Sequence, residues 1–392
     1  MTDHLRFLKY YTLFGFFIIG VVTVLLGQVL PILSARLSLN DAQSGLLLSA
    51  QFAGALLGTL SVGRIIRRFG FPAAGVAGLL LITAGLPGLN SGEFLICWLG
   101  IFVYGFGIGL GIPAINLLTI EVTSANLQSS AVNLLNFAWG VGAICSQPFV
   151  AGVSRDNSLA AVTIILVVGL LAATICLLSI IRKLDGGTAG DSVADPPPKI
   201  WNRPAAWLFL AFSFFAIGVE GGMHGWLTTY SESLSAADGA SVNATVVYFF
   251  FYVLGRGLAS FISRRLSDNK LISICATLLL LGVSLIVLSD SLLFLGSAIA
   301  GLGSSAIFPT NMVRFAKIFG PGATRRATPI FVAGTSGAAA VSSLVGLASF
   351  HLGGLRWGIG VILASAVMVF ILQWMMAVVF RERLTHEGNG SL

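Results

Sequence analysis

The chain has 392 residues, of which 56% are hydrophobic and 9% charged. Soluble domains carry about 25% charged residues, so the composition excludes a water-soluble globular protein and points to an integral membrane protein. The net charge of +7 comes from basic residues dealt out between apolar runs, not gathered in a patch, which argues against a nucleic-acid partner.

A helical span needs about 20 mostly apolar residues. Twelve such runs follow one another. The first, 10–33, comes after Arg6 and Lys9 and imitates a signal peptide. Its apolar stretch is too long and no A-x-A site follows, so it reads as span one. The next five are 44–65, 71–89, 94–120, 129–151 and 159–181. A polar stretch rich in Gly, Asp and Pro (LDGGTAGDSVADPPPK, 184–199) reads as a flexible linker. Six more runs follow: 205–230, 243–262, 271–288, 292–315, 327–350 and 357–380. The expected organisation is an N-terminal six-helix bundle (1–181), a cytoplasmic linker (182–204) and a C-terminal six-helix bundle (205–392). Cys97, Cys145, Cys176 and Cys275 all fall inside apolar runs without a C-x-x-C pair. They read as small packing residues, and no metal or cofactor is expected.

Basic residues set the orientation. With the N-terminus inside, Arg36, Arg155 and Arg356 lie on outer loops, and Arg256 and Arg314 lie within spans eight and ten. That leaves 17 of the 22 on the inner side. The expectation is a multi-pass protein of the inner (plasma) membrane, with both termini cytoplasmic and a single copy of the chain as the working unit.

The two halves repeat each other. FFIIGV at 16–21 matches FFAIGV at 214–219, 198 residues on. Gly58 followed by Arg67 and Arg68 matches Gly255 followed by Arg264 and Arg265, at 197. Gly107 and Pro113 match Gly303 and Pro309, at 196, and Gly142 matches Gly337, at 195. A slowly drifting offset over four span pairs signals two bundles related by an axis along the membrane normal, with substrate bound between them near the midplane.

Glu220 lies in the middle of span seven, next to Gly221 and Gly222 and close to His224, Gly225 and Trp226. A carboxylate there costs at least about 2.5–3.5 kcal/mol on insertion scales, so it faces a partner or a water-filled cavity and marks a binding and coupling site, the alternative being a structural acid paired with a basic residue of a neighbouring helix. The glycines are expected to loosen the helix around it. Span five carries Asn133, Asn136 and Trp139, the amides one turn apart and the indole slightly off their face. Amides suit sugar hydroxyls, and an indole suits the C–H face of a pyranose. Gln28, Asn116, Tyr252 and Asn311 complete the candidate substrate-binding set. Gln28, Asn116 and Asn311 have the alternative reading of interhelical hydrogen bonding, and Tyr252 that of an interface anchor. Glu121 ends span four beside Arg64, Arg67 and Arg68 and is expected to close the cytoplasmic gate with them. Pro113 and Pro309 are expected to bend spans four and ten.

Several motifs carry a resemblance. GRIIRRFG (63–70) looks like a form of the loop signature of the major facilitator superfamily without its usual aspartate. NLLNFAWGVGA, GVEGGMHGWLTTY, SSAIFPTN and IFVAGTSGAAA, in spans five, seven, ten and eleven, resemble the fucose–galactose–glucose symporter group and its sodium-dependent glucose transporter relatives. The resemblance implies an all-α fold of twelve transmembrane helices in two pseudo-symmetric bundles. It also implies hexose uptake driven by protons or sodium, and a sugar-binding role for the pair Asn133 and Asn136. The coupling acids of proton-driven fucose carriers are expected in spans one and four. Here span one offers Gln28 and the middle of span four no acid, which leaves Glu220 as the coupling candidate. A proton-coupled drug or metabolite efflux antiporter is the alternative on the same fold. An enzyme is disfavoured, because HExxH, GxSxG and metal-spaced clusters are missing from the sequence.

Overall fold

A computed structural model describes residues 3–121, 128–154, 158–184, 200–235, 243–263, 265–319 and 327–388. The described residues form twelve α-helices and two short 3-10 turns. The helices are α1 (Asp3–Leu37), α2 (Asp41–Gly85), α3 (Phe94–Glu121), α4 (Gln128–Val153), α5 (Ala160–Leu184) and α6 (Pro204–Ser235). Then come α7 (Ala244–Ile262), α8 (Asp268–Leu288), α9 (Leu293–Ser305), α10 (Ile307–Phe319), α11 (Thr328–Leu352) and α12 (Leu355–Gly388).

Helices and spans do not match one to one. Among the described residues, ten stretches are long and apolar enough to cross a bilayer, and Ala244–Ala259 is a shorter apolar helix. One of the ten, Asp41–Asn90, holds two spans. They meet at Gly70, whose φ of 85° and ψ of 166° suit only glycine. The twelve expected spans are therefore all present. Span ten differs from its expectation: it is two helices, α9 and α10, separated at Ala306. Pro309 explains the break. It has no N–H to offer the Ser305 carbonyl four residues back, and the helical ladder resumes with Thr310 N–H donating to Ala306 O at 3.1 Å. Pro113 stands at the matching place in α3, which runs on as one helix.

The repeat holds in three dimensions. A Cβ on Gly142 of α4 would run into the Phe17 carbonyl of α1, and a Cβ on Gly337 of α11 would run into the Phe214 carbonyl of α6. The helices of each bundle thus meet through the same glycine, at equivalent places.

The bundles touch along α1–α6, α2–α11 and α4–α7. Near the α1–α2 and α11–α12 connections this contact is tight. Ser49 Oγ donates to the Ala339 carbonyl at 3.0 Å and meets Ser343 Oγ, and Ser349 Oγ hydrogen-bonds Asp41. Gly27 of α1 abuts the His224 carbonyl of α6, where no Cβ would fit. Arg36 donates to the Leu89 and Ser91 carbonyls, and Arg356 pairs with Asp290, on this same face. On the opposite face Lys317 pairs with Asp268 at 2.7 Å. Arginines 36 and 356 thus share one face and Lys317 the other, as the alternation of spans requires.

Candidate functional site

The site grows from one stripe of α7. Tyr248, Tyr252 and Arg256 stand four residues apart and share a helix face. Tyr248 donates to Ser304 Oγ at 2.9 Å and stacks on Tyr252, with ring centroids 6.0 Å apart. Tyr252 donates its hydroxyl hydrogen to Glu220 Oε1 at 2.7 Å and accepts an N–H from Arg256 Nη2. One phenol therefore bridges an acid on α6 and a base on α7. Arg256 Nε–H donates to the Ser305 carbonyl at 3.3 Å, the acceptor that Pro309 leaves free. The guanidinium also lies 4.5 Å from the Tyr252 ring centroid and 5.8 Å from that of Trp139, within cation–π range.

Trp139 belongs to the other bundle. Its indole N–H donates to Thr23 Oγ1 of α1 at 3.3 Å, so its ring is held between α1 and Arg256. Asn136 sits one turn earlier on α4 and is half-buried. His224, one turn after Glu220, lies tilted against Phe249 with centroids 4.8 Å apart. Its Nε2 is 3.8 Å from Glu220 Oε1, too far for a hydrogen bond, and has no hydrogen-bond partner although buried. The Glu220 side chain keeps 16% of its surface exposed, so the acid is screened but reachable.

Other sequence candidates are occupied by packing. Trp226 is fully buried and donates Nε1–H to the Ser342 carbonyl at 3.0 Å, inside the α6–α11 contact. Gln28 Oε1 accepts from Thr228 at 2.7 Å, and Thr228 shares a hydrogen bond with Thr245, so Gln28 ties α1 to α6. Asn311 is fully buried, accepts from Arg314 at 2.7 Å and faces Ser213. Asn116 is half-buried and donates to the Ile112 carbonyl within its own helix. The glycines beside Glu220 do not loosen α6, which is continuous; a Cβ on Gly221 would lie 2.6 Å from Ala338 Cβ, and one on Gly222 2.9 Å from Ile362. Their role is close packing on α11 and α12. Arg64, Arg67 and Arg68 are exposed at the end of the first span of α2. Glu121 and Asn133 lie on α3 and α4, but their side chains are outside the described ones. Arg155 and Arg264 also lie outside the described residues.

Sequence reasoning placed Arg256 in a span and gave it no role. Two signals pointed to it: its spacing from Tyr252, and its place 197 residues after Thr59, the offset that relates Gly58 to Gly255. Thr59 donates Oγ1–H to the Gly109 carbonyl at 3.1 Å, and Gly109 is four residues before Pro113. The two bundles thus cap a proline-freed carbonyl from the same position, one with a hydroxyl and the other with a guanidinium.

The family model for the Major Facilitator Superfamily matches residues 12–246 and 227–391. The chain belongs to the major facilitator superfamily. It is a transporter of that superfamily and not an enzyme. A curated relative, an uncharacterised MFS-type transporter of Enterobacter sp. (strain 638), is 34% identical over 76 residues, a match spanning 19% of this chain and 20% of that relative's length. Among solved structures, a D-xylose-proton symporter has a TM-score of 0.75 at 14% identity, covering 95% of this chain and 97% of its own. The nucleoside transporter NupG has a TM-score of 0.73 at 15% identity, covering 97% and 99%. FucP in its outward conformation has a TM-score of 0.62 at 17% identity, covering 94% and 98%. These likenesses show the fold. They extend across sugar and nucleoside carriers alike and do not single out the fucose–galactose–glucose group.

Proposed function

We propose that this transporter imports a hexose-class sugar together with a cation, by alternating access. The observation that carries the reading is the meeting of Glu220, Tyr252 and Arg256 from one bundle with Trp139 from the other. An acid in a membrane-spanning helix, joined to a base through one phenol and facing an aromatic wall, is a coupling group beside a ligand surface. Asn136 and Trp139 would serve the sugar side from α4, with Asn133 joining them on the strength of the family resemblance, and Glu220, His224 and Tyr252 the cation side from α6 and α7. Asn116 of α3 is assigned to the same sugar side. Gln28, Trp226 and Asn311 serve the closed contact and the packing of the bundles.

A proton is favoured over sodium. The groups around Glu220 are a phenol, an imidazole and a guanidinium, whereas sodium is commonly held by several oxygens, including carbonyls of unwound backbone. The helix that carries Glu220 keeps its carbonyls in its own ladder. The tight contacts lie on the face of the α1–α2 connection. With the termini in the cytoplasm of the cell that holds the inner (plasma) membrane, the described state is closed outward. Glu121 with Arg64, Arg67 and Arg68 would then close the opposite gate, working in a single copy of the chain.

The test is counterflow of radiolabelled hexoses in proteoliposomes, with and without sodium. Exchange that needs no sodium and is inhibited by unlabelled hexose is expected. Exchange of lipophilic cations with none of hexoses would favour an efflux carrier instead.

A further inference from the structure

Capping a carbonyl does not call for the charge of Arg256. At the equivalent place in the first bundle, Thr59 caps the carbonyl freed by Pro113 with a neutral hydroxyl. Capping the Ser305 carbonyl therefore needs a donor, not a cation. A guanidinium has five N–H donors, and the bonds to Ser305 and Tyr252 use two of them. The ion pairs among the described residues are His224–Glu220, Lys317–Asp268 and Arg356–Asp290, and Arg256 is in none. Its neighbours are the faces of Tyr252 and Trp139, one from each bundle. We infer that Arg256 binds the carboxylate of the substrate, so that the transported sugar is a sugar acid, a polyhydroxylated monoanion of the hexuronate type. This rests on the sugar reading above and narrows it.

Charge balance supports the assignment. A charge hidden in the membrane interior is costly, so the forms that change face are those whose site is neutral. In the empty site ionised Glu220 and Arg256 balance through Tyr252. With a proton on Glu220 and a carboxylate on Arg256 the site balances again. A proton alone leaves it positive, and a carboxylate alone leaves it negative. Only the empty and the doubly loaded carrier then cross, which couples one proton to one acid. The orphan His224 Nε2, 3.8 Å from the Glu220 carboxylate, gives the added proton a second acceptor. The charged and titratable groups facing Glu220 are Tyr252, Tyr248 and Arg256 of α7 and His224 of α6. Arg314 of α10 meets α6 two turns earlier, at Phe209 and Phe212. Among the described side chains, the charged groups of α1, α11 and α12 lie towards their ends, at Arg36, His351 and Arg356.

Binding to the purified full-length protein tests this with glucuronate, galacturonate and gluconate against glucose, galactose and fucose. At least one acid is expected to bind about tenfold or more tighter than its neutral counterpart. Arg256→Thr, which copies the Thr59 cap, should lose that acid by about 100-fold or more, with its melting temperature kept close to the parent's. Arg256→Lys keeps the charge without the planar fork and should lose about tenfold. Acid uptake by the parent in proteoliposomes should be electroneutral, with no current on a capacitive membrane electrode. Neutral hexoses binding as tightly as the acids would overturn the inference and leave the sugar reading standing. No binding of any of the six would overturn both. Should Arg256→Thr fail to fold, the Arg256→Lys affinity and the parent's current decide. An unchanged acid affinity in Arg256→Lys together with an inward current during acid uptake would exclude this role.

Discussion

At the residue scale, the site depends on a few polar groups placed among aromatic rings. Asn136 is half-buried on α4, one turn from Trp139. On the proposed reading, Asn136→Ala should weaken sugar binding by about 1–3 kcal/mol, because sugar hydroxyls would lose a buried partner. The melting temperature should hold. Isothermal titration and thermal unfolding separate the two effects; unchanged binding with lowered stability would assign the amide to packing. The sequence made Glu220, His224, Tyr252, Asn136 and Trp139 legible, because each is a polar or amphipathic group in an apolar span. It could not separate Trp226, Gln28 and Asn311 from them, since spacing does not say whether a side chain's partner is a ligand or the next helix. Arg256 stands out in the sequence only as a basic residue within a span. Its meaning lies in the Ser305 carbonyl and the Trp139 ring, 49 residues away in one case and in the other bundle in the second.

At the scale of elements, the break in span ten defines the second bundle. Apolar runs cannot show it, because α9 and α10 together read as one span. Pro309 gives the cue and Arg256 provides the cap. Below the break, Arg314 fastens α10. It donates to Asn269 at 3.0 Å, Gln373 at 2.8 Å and Asn311 at 2.7 Å, and lies between Phe209 and Phe212. Four helices, α6, α8, α10 and α12, therefore meet at one buried cation. Arg314→Met would strand those amide oxygens, at about 1–3 kcal/mol for each group left unpaired. A fall in melting temperature of several degrees is expected, with sugar affinity in the surviving fold little changed. A stable variant with lost affinity would instead move Arg314 into the binding site.

At the scale of the molecule, two bundles related by sequence meet through a closed contact on one face and a polar site behind it. The repeat offsets of 195–198 residues carried this organisation, and the glycine contacts at Phe17 and Phe214 show it in space. The closed state itself was not legible, because the same residues must also build the open one. Transport requires the α2–α11 contact to part. Ser49→Cys with Ser343→Cys, on a background lacking Cys97, Cys145, Cys176 and Cys275, should cross-link under oxidation, since these hydroxyls touch. Oxidation should stop exchange and reduction restore it. Undiminished exchange by the cross-linked protein would show that this contact does not open. The most direct measurement concerns Glu220 itself, as the proposed group that couples cation to substrate. Proteoliposomes holding the parent or Glu220→Gln are given a pH gradient and labelled substrate, and accumulation and equilibrium exchange are followed side by side. The amide mimics the protonated acid, so the variant is predicted to lose uphill accumulation and keep exchange at least in part. Uphill accumulation equal to the parent's would contradict the assignment of Glu220 as the coupling residue.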